Sequence, residues 1–174
     1  PDEEDRFASI EASDAEYAAA KNEGDTGEER RLYGLVCHKL FELYLLTPDD
    51  NPDAIIFEAF NRAAPEVEER IRAEGSADLH DNLSAFRVSA IGGIMHASPE
   101  KFPELPFQLN PSGPSGDDRG LIVSGIIDCL FRDENGQWAL VDYKTSRIAP
   151  DNVPRSAARY VPQMALNAAF VMAR

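Results

Sequence analysis

Leu121-Ile-Val-Ser-Gly-Ile-Ile-Asp-Cys-Leu-Phe131 and Trp138-Ala-Leu-Val-Asp-Tyr-Lys-Thr145, joined through Arg132-Asp-Glu-Asn-Gly-Gln137, are the runs that decide the fold. The first is apolar on both faces apart from Ser124 and Asp128, the pattern of an interior strand. It carries a carboxylate where carboxylates are costly, so Asp128 needs a partner. The second alternates with period two, which sets Leu140, Asp142 and Lys144 on one face and Ala139, Val141 and Tyr143 on the other. Asn135-Gly136 is a strong hairpin signal, and the loop length decides which face Asp128 shares. A two-residue Asn-Gly turn sets Asp128 opposite Tyr143, behind the sheet from Asp142. A three-residue loop, Glu134 to Gly136 with Gly136 in a left-handed bulge position, sets Asp128 opposite Asp142. We expect the three-residue loop.

Two carboxylates at neighbouring cross-strand positions make a hard-cation site, suited to Mg2+ or Mn2+ rather than to zinc, which prefers nitrogen and sulfur. Lys144 then stands beside the cation, where an ammonium can orient a water or stabilise negative charge developing at phosphorus. Asp128, Asp142 and Lys144 together point to metal-dependent hydrolysis of phosphodiesters. Asp-x-Lys alone reads more readily as an ordinary hairpin with an Asp142–Lys144 ion pair, and the second buried Asp on the neighbouring strand reverses that reading in favour of a site.

Gly125-x-x-Asp128, Val141-Asp-Tyr-Lys-Thr145 and Tyr160-x-x-Gln163, in this order and spacing, resemble the nuclease domain of RecB and AddA helicase-nucleases within the PD-(D/E)xK superfamily. Upstream, Gly34-Leu-Val-Cys-His38-Lys-Leu-Phe-Glu42 is similar to the family's helical Gly-x-x-x-His element, and Glu104-Leu-Pro-Phe107 to its short Glu-containing segment before the central hairpin. The resemblance implies an α/β, restriction-endonuclease-like core: a mixed sheet with a central hairpin flanked by helices, plus a helical N-terminal leader. It further implies that the side chains of His38, Asp128 and Asp142 and the main-chain carbonyl of Tyr143 ligate the metal, with Lys144 as the catalytic lysine. Tyr160 and Gln163 would fall on the helix after the second strand and support the site and the DNA strand. The family often has a Tyr four residues after the Gln, and this chain has Asn167 there. Glu104 either joins the site or caps a Pro-rich connection. Without the resemblance, His38 on its apolar helix reads as a hydrogen-bonded core residue. His80 and His96 have no partner at ligand spacing and read as surface or structural residues.

At 174 residues and 43% hydrophobic, the chain is long enough for one domain with a sizeable core. Residues 1–30 hold eleven acidic against three basic residues, −8 of the net −14, and read as an acidic leader or linker with a short helix. Residues 31–174 read as the nuclease domain. The start at Pro1 without Met, and the end at Arg174 inside an apolar helical pattern, read as a domain excised from a longer polypeptide with its C-terminal part truncated. From Lys144 to Arg159 the charge reverses: Lys144, Arg147, Arg155 and Arg159 are opposed only by Asp151. A scissile strand would pass this stretch, with Arg147 and Arg159 as DNA contacts.

Two cysteines, Cys37 and Cys129, cannot supply the four-cysteine iron-sulfur cluster of AddB-type relatives, so the RecB or AddA type is implied. No signal peptide or apolar span long enough for a membrane occurs, which makes the cytoplasm the expected location. No Gly-x-x-x-x-Gly-Lys-Ser/Thr loop occurs either, so ATP acts only through a helicase region elsewhere in the natural polypeptide. In the family that region feeds single-stranded DNA ends to the nuclease, together with a second helicase-nuclease subunit, in end resection for recombinational repair of double-strand breaks. The competing expectation is a catalytically inactive nuclease-fold module that binds DNA or docks on a partner helicase subunit.

Ser13-x-x-Glu16 and Thr26-x-x-Glu29 are capping-box patterns that predict helices from about residues 14 and 27, the second running through His38 to Leu46 and stopped by Pro48. Asn51-Pro52 starts a helix that is interrupted at Pro65 and continues to about Ala73. Ser76 begins another toward Ala97, weakest at Gly92-Gly93. Pro99 to Gly120 holds at most a short strand, Leu105 to Leu109, and a helix over 155–174 ends the chain.

Overall fold

A proline stop and an asparagine cap set the first two helices of the domain. Helix α1 (Gly27–Leu46) buries Val36, Cys37, Leu40, Phe41, Leu43, Tyr44 and Leu45. Pro48 follows directly, and α2 (Pro52–Ala63) opens where predicted: the Asn51 side chain accepts the Asp53 N–H at 2.8 Å, with Pro52 in the first turn. The computed structural model describes residues 27–109, 122–145 and 148–173. The helix expected near residue 14, the Thr26 cap and Arg147 lie outside them. The described residues from 32 onward form one compact unit.

The next two helices differ from expectation. Helix α3 (Glu69–Val88) runs unbroken through Gly75-Ser76. The Ser76 hydroxyl donates to the Arg72 carbonyl at 2.6 Å, one turn back, instead of capping a new helix. The break falls at Ser89, whose side chain accepts the Gly92 N–H at 3.0 Å and starts α4 (Ala90–Ala97). Gly92 is required there: a Cβ would lie 1.9 Å from the Phe86 carbonyl oxygen, whereas one on Gly93 would meet nothing within 4 Å.

Strands β1 (Lys101–Leu109), β2 (Val123–Arg132) and β3 (Trp138–Val141) form an antiparallel sheet in that order, with β2 central. β1 is longer than the expected strand, because Pro103 and Pro106, which read locally as loop residues, are tolerated on an edge. In the hairpin Cys129 pairs with Val141 and Arg132 with Trp138, so Asp128 stands opposite Asp142 as expected. The Asp133 N–H donates to the Gln137 carbonyl (2.9 Å) and its carbonyl accepts the Gly136 N–H (3.0 Å). Gly136 has φ +74°, the left-handed position of the three-residue loop.

After the sheet come a 3-10 turn (Pro150–Asn152), α5 (Val153–Ala158) and α6 (Val161–Met172), where one helix was expected. Pro162 in the first turn of α6 accounts for the break, since its ring is incompatible with a continuing helix. The sheet lies between two apolar layers. Cys129, Phe131 and Tyr143 join the core of α1 to α4, while Phe107, Ile127 and Leu130 pack with Phe170 of α6 on the opposite side. Among the described residues no helix is long and apolar enough to cross a membrane.

The two neighbouring glycines of α4 give a direct check. Gly92→Ala is expected to lower unfolding free energy by about 1–3 kcal/mol, the range for forcing atoms into packed space. Gly93→Ala should be neutral or gain up to about 1 kcal/mol from helix propensity. Urea denaturation that ranks them equally would refute the close approach at Phe86.

Candidate metal centre

Alternation along β2 slips at Asp128. Cys129 and Phe131 face the α1 to α4 core and Leu130 faces α6, yet Ile127 lies on the α6 side as well. The cause is across the ladder. Pro103 pairs with Cys129 and Leu105 with Ile127, which leaves Glu104 opposite Asp128 without a pairing and at φ +50°. A side chain held in that region costs about 1–3 kcal/mol. The slip directs Asp128 toward α1, where its Oδ1 is 3.4 Å from Nδ1 of His38. Glu104 Oε1 is 3.9 Å from the same nitrogen. His38, Glu104 and Asp128 thus each offer one ligand atom within 4.8 Å of the others.

Helix α1 delivers His38 through a close approach. Gly34, one turn earlier, faces the same way, and a Cβ there would sit 3.4 Å from Thr145 Oγ1, just beyond Lys144. Tyr143 anchors the other side: its ring is buried against Phe41 at 4.9 Å and Phe86 at 5.8 Å, and meets the His38 ring edge-on at 6.0 Å. Its backbone N–H donates to Asp128 Oδ2 at 2.6 Å. The residue between Asp142 and Lys144 is therefore a structural pin as well as a candidate ligand. Burial drives the Tyr143 phenol far above its usual pKa.

The group holds more negative charge than it can satisfy. Burial, and then the charge of Asp128, raise the Glu104 pKa. Its Oε1 is buried and has no hydrogen-bond partner. The hydrogen bond with Asp128 raises the pKa of His38, partly opposed by burial. Two carboxylates and an imidazole around an unsatisfied oxygen fit a divalent cation, and the oxygen-rich set favours Mg2+ or Mn2+.

Asp142 occupies a different environment despite its register. Its Oδ2 is 2.6 Å from Lys144 Nζ, and its Oδ1 accepts Gln163 Nε2 from α6 at 2.9 Å. Lys144 Nζ also lies 4.3 Å from the centre of the Tyr160 ring. Tyr160 and Gln163 therefore do stand beside the motif, holding Lys144 and Asp142. Asp142 was expected to share a face with Asp128, but it does not join the three-residue group, because the slip turns Asp128 to the α1 side. Glu104, left open between two readings by its sequence, does join. Arg159 is exposed in the turn between α5 and α6, and Asn167 is buried. His80 Nε2 pairs with Asp53 at 2.7 Å and His96 stacks on Tyr44 at 6.1 Å, which leaves both as structural residues.

The Glu104 position separates stability from cation binding. Glu104→Gln removes a carboxylate whose ionised form is disfavoured by burial and by Asp128. The cation-free protein should therefore melt higher at neutral pH, while the rise in Tm on adding Mn2+ should shrink or vanish. A lower Tm without the cation would contradict this account of the charge.

The PD-(D/E)XK nuclease superfamily matches this chain over residues 13–174. Over 78 residues the chain is 55% identical to an ATP-dependent helicase/nuclease protein of Lysinibacillus sphaericus, a stretch covering 45% of this chain and 6% of that protein. The corresponding ATP-dependent helicase/nuclease protein of Anoxybacillus flavithermus is 35% identical over 88 residues (49% of this chain, 7% of that protein). That of Geobacillus thermodenitrificans is 34% identical over 91 residues (47% and 7%). The match to these relatives therefore spans a small part of their length. The family match takes in both sides of the sheet, from His38 on α1 to Gln163 on α6, and the chain belongs to the PD-(D/E)XK nuclease superfamily.

Proposed function

We propose that this domain hydrolyses DNA phosphodiesters with a divalent cation, Mg2+ or Mn2+, held by His38, Glu104 and Asp128. Asp142 and the Tyr143 main-chain carbonyl are the further donors in this reading. The observation that carries it is the buried Oε1 of Glu104, which lacks a hydrogen-bond partner and sits on a strained backbone beside His38 and Asp128. An inert docking module gains nothing from that strain or from crowded carboxylates, so the enzyme is favoured over the binding module.

A cation bound there supplies Lewis acidity and a lowered water pKa. Lys144, oriented by Asp142 and the Tyr160 ring, keeps an ammonium where negative charge develops at phosphorus. Gln163 holds Asp142 and so fixes the direction of Lys144. Arg147 and Arg159 belong to the basic stretch that a DNA strand follows, and Tyr160 adjoins it.

With a net charge of −14, the chain binds DNA weakly alone and depends on tethering for effective substrate concentration. We place it in the cytoplasm as the nuclease part of an ATP-dependent helicase-nuclease. A helicase region of the same natural polypeptide, the site of ATP use, feeds it single-stranded ends, and a second helicase-nuclease subunit is its partner. The process is exonucleolytic end resection in recombinational double-strand break repair. The domain needs no iron-sulfur cluster.

Cleavage of end-labelled single-stranded DNA tests the reading. Cleavage should require Mg2+ or Mn2+ and stop with EDTA, and Asp128→Ala or Lys144→Ala should cost about two or more orders of magnitude in rate. Full activity in a folded Lys144→Ala variant would sink the assignment of the lysine. A second test uses pH. Cation binding must displace the proton that Asp128 helps His38 to retain. Affinity for Mn2+ should therefore fall as pH drops through the region just above the ordinary histidine range, by up to about tenfold per pH unit for one proton released. Calorimetry finding a pH-independent affinity between about pH 6 and 8 would remove His38 from the ligand set.

A further inference from the structure

Surface ion pairs on these helices are solvated: side-chain exposure is 60% and 63% for Arg31–Glu28, 55% and 42% for Arg62–Glu58, and 67% and 63% for Arg70–Glu74. The Lys39–Glu42 pair is different, at 27% and 17%. Glu42 lies one turn after His38 on the same face of α1, and helical side chains lean toward the N-terminus, which carries its carboxylate toward the His38 level. Behind burial, Asp128 and His38, which dominate the Glu104 carboxyl, Glu42 acts to raise its pKa and Lys39 to lower it. The mechanism proposed above uses neither residue.

We infer that Glu42 and Lys39 set the charge, and hence the affinity, of the cation site: Glu42 is an outer carboxylate that strengthens binding, and Lys39 is a built-in counter-cation that weakens it. Both are positioning residues, acting on the ligands and not on the substrate. The physical basis is that affinity of a hard-cation site follows the negative charge gathered around it. Charges this sheltered are screened less by salt than exposed ones. Lys39 neutralises Glu42 in the cation-free protein, so that Glu42 adds no net negative charge to that of Glu104 and Asp128. Removing Lys39 alone leaves Glu42 as a third negative charge facing the site. Removing Glu42 alone leaves an ammonium there.

The inference rests on the proposed cation site, and the experiment separates the two. Calorimetric titration with Mn2+ is run on the wild type, Lys39→Gln, Glu42→Gln, the double variant and Lys39→Arg, with Tm measured for each without cation. Lys39→Gln should tighten binding about tenfold and Glu42→Gln should weaken it about tenfold, for a unit charge at a partly sheltered distance. The double variant should return near the wild type, and Lys39→Arg, which keeps the charge, should match it. A pair that only braces the helix would lower Tm in both single variants and shift affinity in one direction or not at all, and that result overturns the inference. Should Glu42→Gln fail to fold, the sign of the Lys39→Gln change decides alone. Absence of Mn2+ binding in the folded wild type would instead overturn the cation site itself, and this inference with it.

Discussion

Asp128 is 8% exposed on the central strand, and the two bonds that satisfy it tie the domain together. A carboxylate in that position is costly unless both oxygens are engaged. One accepts the Tyr143 amide and the other faces His38, so β2, the end of β3 and α1 meet at a single side chain. Tyr143 secures this junction from behind with an aromatic cluster that includes Phe41 and Phe86. Each such ring, fully buried, stabilises by about 1.5–3 kcal/mol. That is enough to offset a backbone strain of about 1–3 kcal/mol at Glu104.

The strain has a structural use. If Glu104 paired normally, the alternation of β2 would continue and Asp128 would point toward α6, away from His38. Skipping one ladder pair turns Asp128 to the α1 side and leaves Glu104 beside it. The result is a carboxylate row across the sheet, Glu104, Asp128 and Asp142, at one cross-strand level but in two environments. On the α1 side lie His38, Glu104 and Asp128, whose ligand atoms cluster together. On the α6 side, Asp142 is engaged by Lys144 and Gln163. The two sides come together where the β3 ladder stops at Val141, because beyond it residues 142–145 are no longer paired in the sheet.

The fold and the site differ in how they read from sequence. Hairpin register was legible, because Asn135-Gly136, the spacing of apolar runs and period-two alternation are all local. So were α1 and the Asn51 cap of α2, whose signals lie within one or two turns of the elements they start. The division of Glu69 to Ala97 was not. Ser76 and Ser89 are equally good caps in isolation, and the choice was made by Gly92 fitting under the Phe86 carbonyl. β1 was cut short for a similar reason: Pro103 and Pro106 argue against a strand anywhere but an edge, and only pairing with β2 makes it one.

Of the site, the sequence by itself determined the chemical inventory and the register: Asp128 opposite Asp142, Lys144 two residues on, and His38 four residues after Gly34. These follow from short-range periodicities and turn geometry. Only the tertiary structure decided that Glu104 joins His38 and Asp128, that Asp142 turns to Lys144 and Gln163, and that the Lys39–Glu42 pair is sheltered from solvent. Those outcomes depend on a skipped pair between distant strands and on the depth at which α1 packs. Both are set by non-local contacts, which leave no periodic trace in the chain.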